Sequence, residues 1–342
     1  MRVVSLYNST LSALPFFDDF TPTKDLPMKI VIADDYQDCV RHLDAFAALS
    51  GHDVTVYHDT LTDLEALVER FQPADALVLI RERTPITAEL LERLPNLKVI
   101  SQTGGGAAHV DLKACQRHGI TVMAGKGSPY AAAELTWGLI LSAMRHLPEE
   151  VANLKAGRWQ QTLGTGLKGR TLGIFGFGKI GSLVARYAQA FEMNVLIWGR
   201  EGTQARALEA GLTVAESQND LFQRADVLSL HLRLNNETRG IVTEDHLARM
   251  KSTALLVNTS RAPLVAPGAL VSALKAGRPG RAAVDVFDSE PAHDDPLIQL
   301  PNCVATPHLG YVEKDSYELY FGDAFANLNA FNNGEPVTNL AS

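Results

Sequence analysis

The feature that most limits how this chain can fold is a repeated alternation of short apolar runs with helix-like segments. From Met28 onward the runs fall at 30–33, 54–57, 76–80, 99–101 and 121–123, and a second set follows at 171–175, 195–198, 227–230, 254–258, 282–286 and 304–306. Short apolar runs separated by helical patterns predict parallel strands whose sheet is covered by helices on its faces. Two sets predict two domains, and 342 residues exceed the ~250 at which one hydrophobic core stops growing. The expected fold class is α/β, with two Rossmann-like doubly wound parallel sheets.

Between the sets lies 128–157, whose Ala, Leu and Met content predicts long helices joining the sheets, with a kink near Pro148. The tail is helical in pattern over 314–331 and too short to form a domain, so it is expected to return to the first sheet. The nucleotide domain, 128–308, is thus expected to be inserted into a discontinuous substrate domain of 28–127 plus 309–342, with a hinge at each crossing. Residues 1–27, with Pro15, Pro22 and Pro27 and no basic segment leading into an apolar run, read as a disordered or non-native extension rather than a signal peptide. Folding, and native translation, are expected to begin at Met28.

No apolar stretch approaches the ~20 residues that span a bilayer, and a net charge of −8 argues against a nucleic-acid footprint, which needs a basic face. Cys39, Cys115 and Cys303 are widely spaced, with neither a Cys-x-x-Cys pair nor a zinc-like cluster. Reduced thiols in a soluble cytoplasmic protein without a metal are expected.

Gly176-Phe-Gly-Lys-Ile-Gly181 follows the run at 171–175 and opens a helix with Ile180, Val184 and Ala188 on one face. A lone Gly-x-Gly-x-x-Gly is a weak signal. Between a strand and a helix, with the next strand at βαβ spacing, it predicts a dinucleotide loop whose amides meet a pyrophosphate; the ordinary alternative is a tight turn. At the end of the next strand, where NAD-binding chains carry an acid for the ribose, the sequence reads Trp198-Gly199-Arg200-Glu201. Gly199 leaves room and Arg200 offers a guanidinium for a 2′-phosphate, which favours NADP over NAD; Glu201 stands one residue late.

Three later residues suit one chemistry. Arg261 in Asn-Thr-Ser-Arg is a candidate electrophile, His308 in Thr-Pro-His-Leu-Gly a proton donor, and Glu290 in Asp-Ser-Glu-Pro the carboxylate that favours a charged imidazole. Taken singly, each has an ordinary alternative: a surface ion pair, a loop cap, a solvated acid.

Four motifs, Gly176–Gly181, 257–261, 284–291 and 306–310, are spaced and ordered so that the chain resembles the D-isomer-specific 2-hydroxyacid dehydrogenases over about residues 28–335. The resemblance implies an NAD(P)-dependent oxidoreductase that moves a hydride between the nicotinamide and a D-2-hydroxy acid or its 2-keto acid, with catalytic Arg261, Glu290 and His308. It implies cofactor contacts from Gly176, Gly178, Lys179, Ile180, Gly181, Arg200, His231, Thr259 and Asp285, the last either reaching the carboxamide or ordering the site. It also implies substrate contacts from Gly104, Gly105, Gly106 and Arg81, and a homodimer built on about 131–159. His109 and His231 are read as packing or cofactor-edge residues. Departures are the three consecutive glycines followed by Ala107, Ala108 and His109, Ala262 and Pro263 after Arg261, and Arg233 near His231. The alternatives are formate or phosphite oxidation on the same fold, and a dinucleotide-sensing, corepressor-like binding protein.

Overall fold

The structure is a computed structural model that describes residues 27–341; the expectations for residues 1–26 lie outside that range. Five strands form the first sheet: β1 (Lys29–Ile32), β2 (Asp53–Val56), β3 (Ala76–Leu79), β4 (Val99–Gln102) and β5 (Thr121–Ala124). All pair in parallel in the order β2-β1-β3-β4-β5, with Ile30 flanked by Val54 and Ala76. Helices α1 (Leu64–Phe71), α2 (Ala88–Leu91) and α3 (Leu112–Arg117) connect them. Asp63, Thr87 and Asp111 cap these helices by accepting an amide of the first turn, which explains where each begins.

Alternate side chains of β1 serve two cores. Val31 packs with Leu67, Phe71 and Leu90 on one face, while Ile30 and Ile32 pack with Phe321 and Phe325 on the other, as the two-residue period of a strand dictates.

The second sheet has seven strands: β6 (Thr171–Phe175), β7 (Asn194–Trp198), β8 (Thr213–Val214), β9 (Val227–Leu230), β10 (Leu255–Asn258), β11 (Arg281–Val284) and β12 (Cys303–Ala305). They too are all parallel, in the order β12-β11-β10-β9-β6-β7-β8. The helices are α4 (Tyr130–Met144), α5 (Leu147–Lys155), α6 (Lys179–Ala190), α7 (Glu201–Glu209), α8 (Gln218–Arg224), α9 (Glu244–Ala248), α10 (Ala269–Lys275) and α11 (Lys314–Asn332). Every apolar run of the sequence became a strand; β8, only two residues long, had no run to announce it.

The two crossings differ in character. Trp137, Ile140 and Met144 of α4 join the core of the second sheet with Leu172, Ile174 and Val184. The helical segment then breaks at His146, which adopts a left-handed φ of 54°, so Pro148 falls in the first turn of α5 rather than kinking one long helix. That position tolerates proline because its amide has no helical partner. On the return, α11 packs against the first sheet, where Ser101 Oγ donates to the carbonyl of Ala324 at 2.9 Å and Glu318 accepts the amides of Asp44 and Ala45. Among the described residues no helix is long and apolar enough to cross a membrane.

Candidate active site

The C-terminal ends of parallel strands are where open α/β sheets bind ligands, and the residues singled out by sequence lie there in a row. Along the second sheet the strand ends carry His308 (β12), Asp285 and Glu290 (β11), Arg261 (β10), His231 (β9), Gly176 (β6) and Arg200 (β7). Adjacent strands are ~4.8 Å apart, so the β10 and β7 ends are separated by roughly 14 Å. Chemistry at one end and a nucleotide's far ribose at the other fit that spacing.

The structure brings the three candidate catalytic residues together. Nδ1 of His308 lies 2.6 Å from Oε2 of Glu290. A carboxylate only accepts, so Nδ1 carries the proton and Nε2 is left for a ligand. The other oxygen of Glu290 accepts the amide of Phe287 at 3.0 Å. Burial alone would raise the Glu290 carboxyl, but the bond to His308, that residue's charge, the Phe287 amide and Arg261 outweigh it and hold the group below its usual range. Arg261 follows β10 in a turn fixed by Asn258, whose side chain donates to the Arg261 carbonyl and accepts the Ser260 amide.

His308 has a φ of 52°, in the left-handed region that is costly for a side chain with a Cβ. Asp285 holds it there. Fully buried, its carboxylate accepts the Thr306 hydroxyl at 2.6 Å, the Leu309 amide at 2.7 Å and the Gly310 amide at 2.8 Å. Burial pushes this carboxyl up, against the pull of its donors and of His308. Both oxygens are engaged by the 306–310 turn, so of the two roles expected for Asp285 the geometry supports ordering the site.

Across the cleft, the first sheet supplies the facing wall. Arg81, also left-handed at φ 54°, is tied to Thr103: its amide donates to the hydroxyl and its guanidinium to the carbonyl at 3.3 Å. The guanidinium lies over the rings of Tyr311 and Tyr320 and packs so closely on Gly104 that a Cβ there would stand 2.0 Å from Nη1. These contacts fix where the Arg81 guanidinium lies, beside the glycine segment. Gly105 and Gly106 are exposed, and a Cβ at Gly106 would meet nothing within 4 Å. Their open backbone suits an incoming carboxylate.

His109 lies on this wall too, electrostatically coupled to Glu82 and Arg81, with its imidazole pushed down mainly by burial. Both of its ring nitrogens are buried without a protein partner.

Two further residues emerge only in three dimensions. Glu82 reaches over to Arg261, with 3.4 Å between Oε1 and Nη2, an ion pair that joins the two sheets. Arg83 donates to the Asp34 carbonyl and to the hydroxyls of Tyr311 and Tyr317, and lies 4.2 Å from the centre of the Tyr36 ring.

The glycine loop divides its labour. At Gly176, with φ 99°, a Cβ would stand 2.5 Å from the His231 carbonyl oxygen, and at Gly181 2.4 Å from that of Gly176, so both allow close backbone packing. At Gly178 it would meet nothing within 4 Å. That opening lies at the start of α6, whose N-cap has no side-chain partner, and a pyrophosphate fits such an uncapped helix end. Lys179 is exposed there and Ile180 packs into the core.

Arg200 is exposed at the end of β7 and makes only a loose 3.7 Å pair with Glu237. Gly199 does not leave the expected room: a Cβ there would come within 2.7 Å of Thr203, so it serves the packing of α7. Thr259 is tied to α4 through the Thr136 hydroxyl at 2.6 Å. His231 bonds to Ser229 at 2.9 Å, and burial pushes its imidazole down to about 4, which makes it a neutral neighbour of the loop and no acid.

Asp35, Asp38 and His58 bring possible ligand atoms within 4.8 Å of one another, but Asp35 already accepts the amides of Cys39 and Val40, and we assign no metal to them. The three cysteines are free. Burial pushes Cys39 and Cys115 up to about 11 and Cys303 up to about 12, too high for a thiolate nucleophile at neutral pH.

Comparison with known proteins agrees with this geometry. Residues 137–310 match the family model for the NAD binding domain of the D-isomer specific 2-hydroxyacid dehydrogenases. The D-3-phosphoglycerate dehydrogenase of Methanocaldococcus jannaschii is 39% identical over 249 residues, 72% of this chain and 47% of that one. The glyoxylate reductase of Aeropyrum pernix is 37% identical over 290 residues, covering 81% of this chain and 86% of that one. The crystal structure of a phosphoglycerate oxidoreductase from Vibrio cholerae O395 superposes with a TM-score of 0.88 at 55% identity, over 90% of this chain and 99% of that one. The chain spans about half the length of the phosphoglycerate dehydrogenases it matches first. With two parallel sheets, a glycine loop at the β6 end, and family identity extending over most of its length, the chain belongs to the D-isomer specific 2-hydroxyacid dehydrogenase family.

Proposed function

We propose that this protein is an NAD(P)-dependent oxidoreductase interconverting a D-2-hydroxy acid and its 2-keto acid, with small acids of the glyoxylate or hydroxypyruvate kind as the first candidates. The observation that carries the reading is the 2.6 Å Glu290–His308 pair on the strand ends beside Arg261 and in line with the open glycine loop.

When bound, the nicotinamide supplies the hydride in reduction and takes it in oxidation. The chain's own residues manage charge and protons. Arg261 polarises the carbonyl and offsets the negative charge that develops on its oxygen. His308 delivers a proton to that oxygen from Nε2, while the Glu290 carboxylate stays bonded at Nδ1 and favours the charged ring. In the reverse direction the same ring, neutral, accepts the hydroxyl proton. The amides of Gly105 and Gly106 hold the substrate carboxylate, and Asp285 keeps the turn that presents His308.

Gly176, Gly178 and Gly181 form the pyrophosphate loop. Arg200, with its single loose partner and no acid at the end of β7, supports NADP over NAD. We further infer the domain division 28–127 plus 309–342 against 128–308, and a homodimer. The dimer is supported by α5, which buries none of its residues within the chain while exposing Leu147, Val151 and Leu154.

The test is loss of absorbance at 340 nm with NADPH and NADH against glyoxylate, hydroxypyruvate, pyruvate and longer 2-keto acids. Turnover that disappears in Arg261→Ala is the expected result. Nucleotide binding without turnover of any acid would overturn the reading.

A further inference from the structure

Residues 81–83 place three consecutive charges, Arg-Glu-Arg, on the first-sheet wall of the cleft, and the middle one pairs with Arg261 of the opposite sheet. Resting on the reading that Arg261 engages the reacting acid, we propose that Glu82 is a specificity-determining residue. It admits 2-keto acids whose only anionic group is the carboxylate and rejects those carrying a second, such as a phosphate on C3.

The geometry supports this in two ways. Glu82 Oε1 stands 3.4 Å from Arg261 Nη2, with the carboxylate side chain 42% exposed, so a molecule held at Arg261 lies within a few ångströms of it. The flanking cations are less exposed than Glu82 and pack against neutral groups of the first sheet's own side. Arg81 is bonded to Thr103 and packed on Gly104 and the rings of Tyr311 and Tyr320. Arg83 is bonded to Asp34, Tyr311 and Tyr317 and stacked on Tyr36.

Glu82 is the exposed member of the three, so the charge of this segment nearest a molecule held at Arg261 is negative. Every keto acid must displace Glu82 from Arg261 once, a cost common to all of them. Beyond that, a C3 hydroxyl finds in Glu82 a strong acceptor, whereas a C3 phosphate meets a like charge at close range, a repulsion that the partly desolvated cleft screens less than bulk water does.

The experiment compares kcat/KM for hydroxypyruvate and 3-phosphohydroxypyruvate in the wild type and in Glu82→Gln, with Kd for both acids measured by calorimetry on the nucleotide-loaded protein. The wild type should prefer hydroxypyruvate. Glu82→Gln should improve the phosphorylated acid about tenfold more than the unphosphorylated one, in kcat/KM and in Kd. A wild type that prefers the phosphorylated acid, or a preference unmoved by the substitution, overturns the assignment. If no keto acid is turned over, the oxidoreductase reading fails separately, and the ratio of the two Kd values and its response to Glu82→Gln still decide the role of Glu82.

Discussion

Glu290 holds His308 with one carboxylate oxygen, at 2.6 Å from Nδ1, and the Phe287 amide with the other, at 3.0 Å. One side chain thus fixes both the ring and the loop that carries it. Glu290→Gln keeps the shape but removes the charge that favours a charged imidazole, so turnover should fall by ~10² while nucleotide affinity stays the same. Steady-state kinetics beside a nucleotide titration read the two separately. Equal losses in both would mean that Glu290 shapes the cofactor site instead.

Asp285 gathers the Thr306 hydroxyl and two successive amides, those of Leu309 and Gly310, just past His308. Asp285→Ala leaves these donors without their acceptor in a buried place. At ~1–3 kcal/mol for each stranded group, a loss of about 3 kcal/mol in a urea titration is expected, with reduced turnover as His308 drifts. Wild-type stability in this variant would contradict the positioning role.

How much of this was legible beforehand depends on how local each signal is. Strands buried on both faces announce themselves as apolar runs, whereas Thr213–Val214 is too short to do so. The candidate catalytic residues could be singled out because each sits inside a motif at a strand end. Glu82 could not, since its partner Arg261 is 179 positions away and nothing in Arg-Glu-Arg says which charge faces the cleft. Gly199 was misjudged for a related reason: sequence shows that an absent side chain is on offer, but not that Thr203 already uses the space. The break between α4 and α5 was misplaced by two residues because Pro148 is conspicuous and a left-handed His146 is not.

Arg200 stands exposed at the end of β7, with Glu237 no nearer than 3.7 Å. If it meets a 2′-phosphate, Arg200→Ala should raise the Kd of NADPH about tenfold, the value of one charge-assisted contact of ~1.4 kcal/mol, and leave that of NADH unchanged. Fluorescence titration of both nucleotides distinguishes this from a general loss of nucleotide binding, which would remove the assignment.

Burial pushes the His231 imidazole down to about 4, against an ordinary value of ~6.5. Between those values the unfolded chain binds a proton that the folded chain does not, so stability rises with pH across this window and is lost on acidification through it. The full effect is about 3 kcal/mol, at ~1.4 kcal/mol per pH unit. His231→Gln should flatten the acid limb of a stability profile between roughly pH 6.5 and 4. An unchanged slope would show that His231 does not contribute to the acid sensitivity.

Helix α5 turns an apolar face to solvent. None of its residues is buried, yet Leu147, Val151 and Leu154 recur at the spacing of one apolar face, and the segment beyond exposes Trp159 at 72% and Leu163 at 93%. Exposed apolar clusters of this kind mark contact surfaces, and a two-fold pairing of the segment with its own copy would cover the face on both chains at once. Sedimentation equilibrium should give about twice the 37.1 kDa chain mass. Val151→Glu combined with Leu154→Glu should shift the protein to monomer with little change in its far-ultraviolet dichroism, because neither side chain belongs to a core of the single chain. A wild-type monomer at micromolar concentration would leave the apolar face of α5 without this explanation and remove the homodimer from the proposed function.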